Sequence, residues 1–139
     1  LSPSSAASDV YKRQELQRAA IAKLLLPEPE VIFLDEATKG MDAFFKAEFG
    51  ALLRRLAARG TAIVLVSHDI EFCAEFADRC AMFFNGTVIA EGTPQEVFLG
   101  NSFYTTSACR ISRGIIPDAL TSEQVIDYAN RCERKKNDA

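Results

Sequence analysis

Two apolar runs in this chain end in polar groups suited to phosphate chemistry. Val31-Ile32-Phe33-Leu34 leads straight into Asp35-Glu36, and Val64-Leu65-Val66 leads into Ser67-His68-Asp69, which holds the only histidine of the sequence. In such a set one carboxylate can hold a magnesium ion, the next can orient a water, and an imidazole can donate to a γ-phosphate. Ligands of open α/β sheets collect at the carboxyl ends of strands, where the chain is already turning, so adjacent residues there can reach one crevice. The Asp35-Glu36 pair could equally cap a following helix, and a lone histidine could be an ordinary core or surface residue. Placement at equivalent ends of two neighbouring strands favours a shared pocket.

The elements that must carry these groups are legible from periodicity. Glu15 to Leu26 has a helical apolar pattern with a broad face expected to be buried, and Pro27-Glu28-Pro29 stops it because proline lacks an amide and disfavours helix before it. Glu30 to Leu34 and Thr61 to Val66 are continuous apolar strands, the mark of a sheet covered on both faces. Between them Phe45, Phe49, Leu52, Leu53 and Leu56 form one helical stripe, with Asp42 placed to cap its start and Gly60 to close it. A short helix is expected from Ile70 to Asp78, then strands Cys80 to Phe84 and Thr87 to Ala90 around an Asn85-Gly86 hairpin turn. Thr93-Pro94-Gln95-Glu96 and Thr121-Ser122-Glu123-Gln124 both read as capping boxes opening helices. No structure is assigned to 101–114. Alternating strands and helices imply parallel pairing, with the hairpin adding an antiparallel edge.

Composition narrows the function classes. With 139 residues, 48% of them apolar, the chain can form a globular core. A net charge of −3 argues against a nucleic-acid surface. The apolar stretches are too short to span a bilayer, and no secretory leader is seen. Cys73, Cys80, Cys109 and Cys132 form no CxxC pair and are expected to be reduced thiols. The basic end Arg134-Lys135-Lys136 is expected to be a solvated helix end. Residues 4–14, Ser-Ser-Ala-Ala-Ser-Asp-Val-Tyr-Lys-Arg-Gln, match codon for codon the in-frame translation of a transposase-type sequencing adapter. Residues 4–14 are read as a sequencing or cloning scar, with a natural Ser/Ala-rich linker as the alternative. Residues 1–14 are set aside together, Leu1 to Pro3 being assigned to neither; 15–100 form the body of the domain, and 101–139 an extension.

Glu15-Leu16-Gln17-Arg18-Ala19-Ala20-Ile21-Ala22 resembles the tail of the signature motif of ABC ATPases. Val31 to Glu36 resembles their Walker B strand, Lys39-Gly40-Met41-Asp42 their D-loop, and Ser67-His68-Asp69 their H-loop, in the same order and with matching gaps. Asn85-Gly86 and Glu91-Gly92-Thr93-Pro94-Gln95-Glu96-Val97-Phe98 are similar to the closing segment of importer ATPase subunits. Ala37 stands where the family usually has proline, and the first four signature residues are absent or replaced by the adapter-like stretch. Glu-Leu-Gln-Arg, the Ala37-to-Asp42 loop and the Asn101-to-Thr106 tail are most like the ATPases of energy-coupling-factor importers of vitamins or cobalt and nickel ions.

The resemblance implies an α/β fold, the C-terminal half of a P-loop NTPase with helices on both faces of parallel strands. It implies an ATP hydrolase at the cytoplasmic face of the membrane that drives import of a small solute, with ATP and Mg²⁺ as cofactors. Its partners would be a second ATPase cassette, head to tail, and integral membrane subunits. Asp35 would hold Mg²⁺ through water, Glu36 would be the general base and His68 the γ-phosphate switch. Asp42 would reach across the dimer, and Glu15 would end the segment covering the opposing nucleotide. From the residues alone, Asp42 is also a plain N-cap and Glu15 an ordinary polar residue at a helix start. A soluble ABC ATPase of ribosome or DNA-repair type, or a degenerate supporting cassette, would share these motifs. The 139 residues contain no glycine-rich loop ending in Lys-Ser or Lys-Thr, so hydrolysis by this stretch alone is not expected.

Overall fold

The computed structural model describes residues 15–16, 18–101 and 103–137. The adapter-like stretch, Gln17 of the signature-like segment and Ser102 of the importer-like tail lie outside the described residues. The chain divides after Val66 into two units.

The first unit opens with helix α1, covering 18–25, with 15 and 16 also helical. The Glu28 amide donates to the Leu25 carbonyl at 3.1 Å and Glu28 itself takes a left-handed φ of 48°, so the chain turns out of the helix within the Pro27-Glu28-Pro29 stop. Strand β1 (Val31–Asp35), helix α2 (Ala43–Ala58) and strand β2 (Ala62–Val66) follow. β1 and β2 pair in parallel, with Val31 opposite Ala62 and Asp35 opposite Val66. α2 is the crossover such a pair requires. It is set by Asp42, whose carboxylate accepts from the Phe45 amide at 2.8 Å, and it ends before Gly60, whose φ of 98° suits a residue without a Cβ. Phe45, Phe49 and Leu53 of the expected stripe are buried, together with Ile32 of β1 and Met41.

Burial departs from the sequence expectation in two places. The continuous apolar strands predict a sheet covered on both faces, yet Phe33 is 75% exposed, and Val31, Val64 and Val66 share its face and its exposure. Ile32, one residue away on the opposite face, is buried. α1 likewise keeps Ala19, Ala20, Ala22 and Leu24 in solvent, with only Ile21 and Leu25 half-buried. The apolar patterns are those of a larger interior than the described residues enclose.

The second unit contains helix α3 (Ile70–Phe76), strands β3 (Cys80–Phe84) and β4 (Thr87–Gly92), and helices α4 (Pro94–Phe98), α5 (Ser107–Ser112) and α6 (Ser122–Asn137). β3 and β4 form an antiparallel hairpin with a bulge between Met82 and Phe83. Asn85 and Gly86 both have positive φ, 47° and 82°, as the tight turn demands. The hairpin is a two-stranded antiparallel sheet. α4 packs on it, held by a full capping box in which the Thr93 amide donates to Glu96 Oε2 at 2.7 Å and the Glu96 amide donates to Thr93 Oγ1 at 3.3 Å. Val97, Phe98, Cys109 and Leu120 make the core, with Ile70, Cys73, Ala74, Cys80, Met82 and Ala90 against it. α5 was not assigned from sequence. Thr106 caps it by accepting from the Cys109 amide at 3.1 Å. Thr121 and Gln124 exchange hydrogen bonds at the start of α6, as the sequence leads one to expect.

Gly92 makes the capping box possible. At its φ of 156° a Cβ would lie 2.5 Å from Glu96 Oε2 and 3.1 Å from Glu96 Cβ. Gly92→Ala should therefore displace the Glu96 carboxylate and lower stability by about 1 kcal/mol in urea unfolding; an unchanged midpoint would refute the coupling. The Thr93 backbone and side-chain hydrogen bonds hold the Glu96 carboxyl below the usual glutamate value. A carboxyl whose pKa falls on folding stabilises the native state above its unfolded value, and that contribution is lost as pH falls through the lowered folded value. Glu96→Gln should thus flatten the stability profile below about pH 5, read as unfolding midpoints across that range.

Candidate functional site

The paired carboxylates sit where the parallel ladder ends. Asp35 is the last residue of β1, exposed, and opposite Val66 in register. Glu36 continues the ladder by one bond, its amide donating to the Val66 carbonyl at 2.8 Å, while its φ of 50° turns the chain out of the strand. A left-handed φ is uncommon for a residue with a Cβ and costs about 1–3 kcal/mol, so it persists only where the surroundings fix it. Here they do. The Lys39 amide donates back to the Glu36 carbonyl at 3.0 Å and the Met41 amide to the Thr38 carbonyl at 3.2 Å, with Thr38 and Met41 both buried. The turn from Glu36 to Gly40 is pinned at both ends, and strain at its first residue re-aims the second carboxylate away from the strand's alternation.

Asp42 closes this turn and starts α2. Its side chain accepts the Phe45 amide and its carbonyl accepts the Lys46 amide at 2.9 Å, which places it in the N-cap role. Glu15 stands apart from the strand end in sequence and is tied to α2 through Arg18. The Arg18 guanidinium reaches Glu15 Oε1 at 3.3 Å and Glu48 Oε2 at 3.4 Å, and lies 4.8 Å over the Phe45 ring. These ion pairs are about half exposed, so they orient the start of the helix more than they stabilise it.

His68 opens the second unit, in a segment organised by Asp69. The Asp69 amide donates to Ser67 Oγ at 3.1 Å, and the Asp69 carboxylate accepts the Phe72 amide at 3.1 Å as the N-cap of α3. The exposed His68 is thus flanked by two residues that bond to each other and to the first turn of a helix. The capping role of Asp69 was missed from sequence, although an Asp directly before an apolar helix start was the available signal.

Among the described residues no group of three or more His, Cys, Asp and Glu could hold a metal ion as a protein-only cage. A magnesium ion bound with a nucleotide does not need one. It takes one or two carboxylates and fills its remaining positions with water and phosphate oxygens, so the hard oxygens of Asp35 fit that demand. No helix among the described residues is long and apolar enough to cross a membrane.

A strand ending in an acid pair, a pinned turn and a capped crossover helix beside a parallel partner strand is the architecture of the C-terminal part of an ABC-type ATPase, and sequence comparison agrees. An ABC transporter ATP-binding protein of Bacillus thuringiensis is 47% identical over 113 residues, 81% of this chain and 20% of that protein. An energy-coupling factor transporter ATP-binding protein of Methanothermobacter thermautotrophicus is 35% identical over 99 residues, 71% of this chain and 32% of the relative. A protein of the same name from Methanocaldococcus jannaschii is 39% identical over 82 residues, 59% of this chain and 29% of that protein. No family model matches. The chain belongs to the ABC transporter ATP-binding proteins, and it spans about a fifth of the length of the Bacillus relative.

The strain at Glu36 can be isolated from its carboxylate. Glu36→Gly should be more stable than Glu36→Ala by about 1 kcal/mol in urea unfolding, because glycine takes the left-handed region without a Cβ penalty. If alanine proved the more stable, the turn would not be strained.

Proposed function

We propose that this chain is the C-terminal part of an ATPase cassette that couples ATP binding and hydrolysis to import of a small solute, a vitamin or a metal ion, with 15–100 belonging to the cassette body and 101–139 to an extension. The parallel register carries the reading. Asp35 pairs with Val66, and His68 follows Val66 by two residues of covalent chain, a reach of at most about 8 Å between Cα atoms. A carboxylate pair and an imidazole are the residue types that phosphate and metal chemistry uses, and the reading assigns both to that chemistry. The importer assignment draws its support from the two relatives named as energy-coupling factor ATPases.

In this reading Asp35 would hold Mg²⁺, and the ion, when bound, would offset phosphate charge. Glu36 takes the proton of the attacking water, its carboxylate re-aimed by the left-handed backbone. His68 donates to the γ-phosphate and makes the position of its segment depend on that phosphate. Asp42 keeps its N-cap bond while facing a second cassette across a head-to-tail dimer, and Glu15 ends the segment that covers the opposing nucleotide. The working protein then sits at the cytoplasmic face of the membrane against integral membrane subunits, and ATP and Mg²⁺ are its cofactors.

Glu36→Gln in the intact parent should reduce ATP turnover by about 10²-fold or more while nucleotide stays bound, since a base is lost and the shape kept. Single-turnover hydrolysis with a nucleotide-retention assay checks this; wild-type turnover would remove Glu36 from the role of base. The 139-residue chain by itself should show no steady ATPase activity, because its sequence contains no glycine-rich phosphate loop. Phosphate release by the purified chain above a buffer blank would overturn that expectation.

A further inference from the structure

We infer that the segment from Phe103 to Thr121 is a brace that positions His68 through α3, an inference resting on the switch role proposed for His68. α3 has seven residues, too few to hold itself in place by helical hydrogen bonds, so its position is set by what it packs against. Much of that support comes from beyond residue 100. Cys109 of α5 and Leu120, which is 1% exposed, form the core with Val97 and Phe98, and Ile70, Cys73 and Ala74 of α3 pack against it.

One hydrogen bond fixes the two helices in register. The Ser107 amide, in the first turn of α5, donates to Glu71 Oε1 on α3 at 2.6 Å. An amide that has no partner within its own helix meets a carboxylate there, a charge-assisted bond stronger than a neutral one. Glu71 lies two residues from Asp69, whose carboxylate holds the Phe72 amide and whose own amide holds Ser67 Oγ. His68 sits between Ser67 and Asp69. A shift of α3 relative to the core must therefore move the backbone that carries the imidazole. Glu71 and the Ser107 amide are positioning groups, and neither needs to touch nucleotide.

The bond can be cut from either side in the intact ATPase. Ser107→Pro removes the donor at a helix start that tolerates proline, and Thr106 already has the extended conformation (φ −71°, ψ 159°) that a residue before proline prefers. Glu71→Ala removes the acceptor, and Glu71→Gln keeps a neutral one. The two disruptive variants should each lower kcat for ATP about five- to tenfold with KM changed less than about twofold, and Glu71→Gln should recover most of the loss. Neither should add to the loss caused by His68→Ala, since a displaced imidazole and a missing one are the same defect. Amide exchange at Asp69 and Phe72 should quicken about tenfold in both variants while Val97 keeps its protection. Losses that multiply with that of His68→Ala, or unchanged exchange at Asp69 and Phe72, would overturn the brace. A parent without ATPase activity would sink the transport-motor reading instead, and exchange at those two amides would then decide the brace alone.

Discussion

The hydrogen bond from the Glu36 amide to the Val66 carbonyl, 2.8 Å long, is the constraint on which the candidate site depends. It carries the parallel ladder one residue past β1 and forces the chain to turn at a residue that would not choose a left-handed φ. From that bond follow the aim of the second carboxylate, the pinned turn from Glu36 to Gly40 and the position of Asp42 at the head of α2. The ladder also fixes Val66, the last residue before the histidine segment. A register slip of one residue would send every side chain of β1 to the opposite face and separate the acid pair from its neighbour strand.

The second unit solves a different problem with similar means. Its helices α3, α4 and α5 are each seven residues or fewer, and short helices are marginal in water. Each is opened by a side-chain cap, from Asp69, Thr93 and Thr106 respectively, and each contributes to or packs against one small core. Caps set where the helices begin, and the core sets how they lie. The unit is thereby a mounting for the segment that carries His68.

Most of these elements could be read from the sequence because local chemistry and global fold agree in them. The α2 stripe, the Asn85-Gly86 turn and the two capping boxes were found where periodicity and turn residues placed them. β1 and β2 began one residue later than expected, at ends where strand boundaries are soft. α5 escaped because its six residues carry too little apolar period to stand out in a polar stretch, although Thr106 marks its start. Burial was less legible. Phe33 and the alanines of α1 have the pattern of interior residues and are exposed, since a pattern records the surroundings a segment evolved for. The strain at Glu36 was invisible too, because backbone torsion at a single residue has no compositional signal when that residue is not glycine.

The bare face of the β1–β2 pair has a practical consequence. Among the described residues each of the two strands has a hydrogen-bonded strand neighbour on one side only, and each presents valine or phenylalanine side chains to solvent. Unpaired edges next to β-branched and aromatic surface are templates for self-association. No lysine or proline interrupts either strand to discourage it. Expressed by itself, this stretch is a polypeptide primed to aggregate, and solubility would be the first obstacle to handling it.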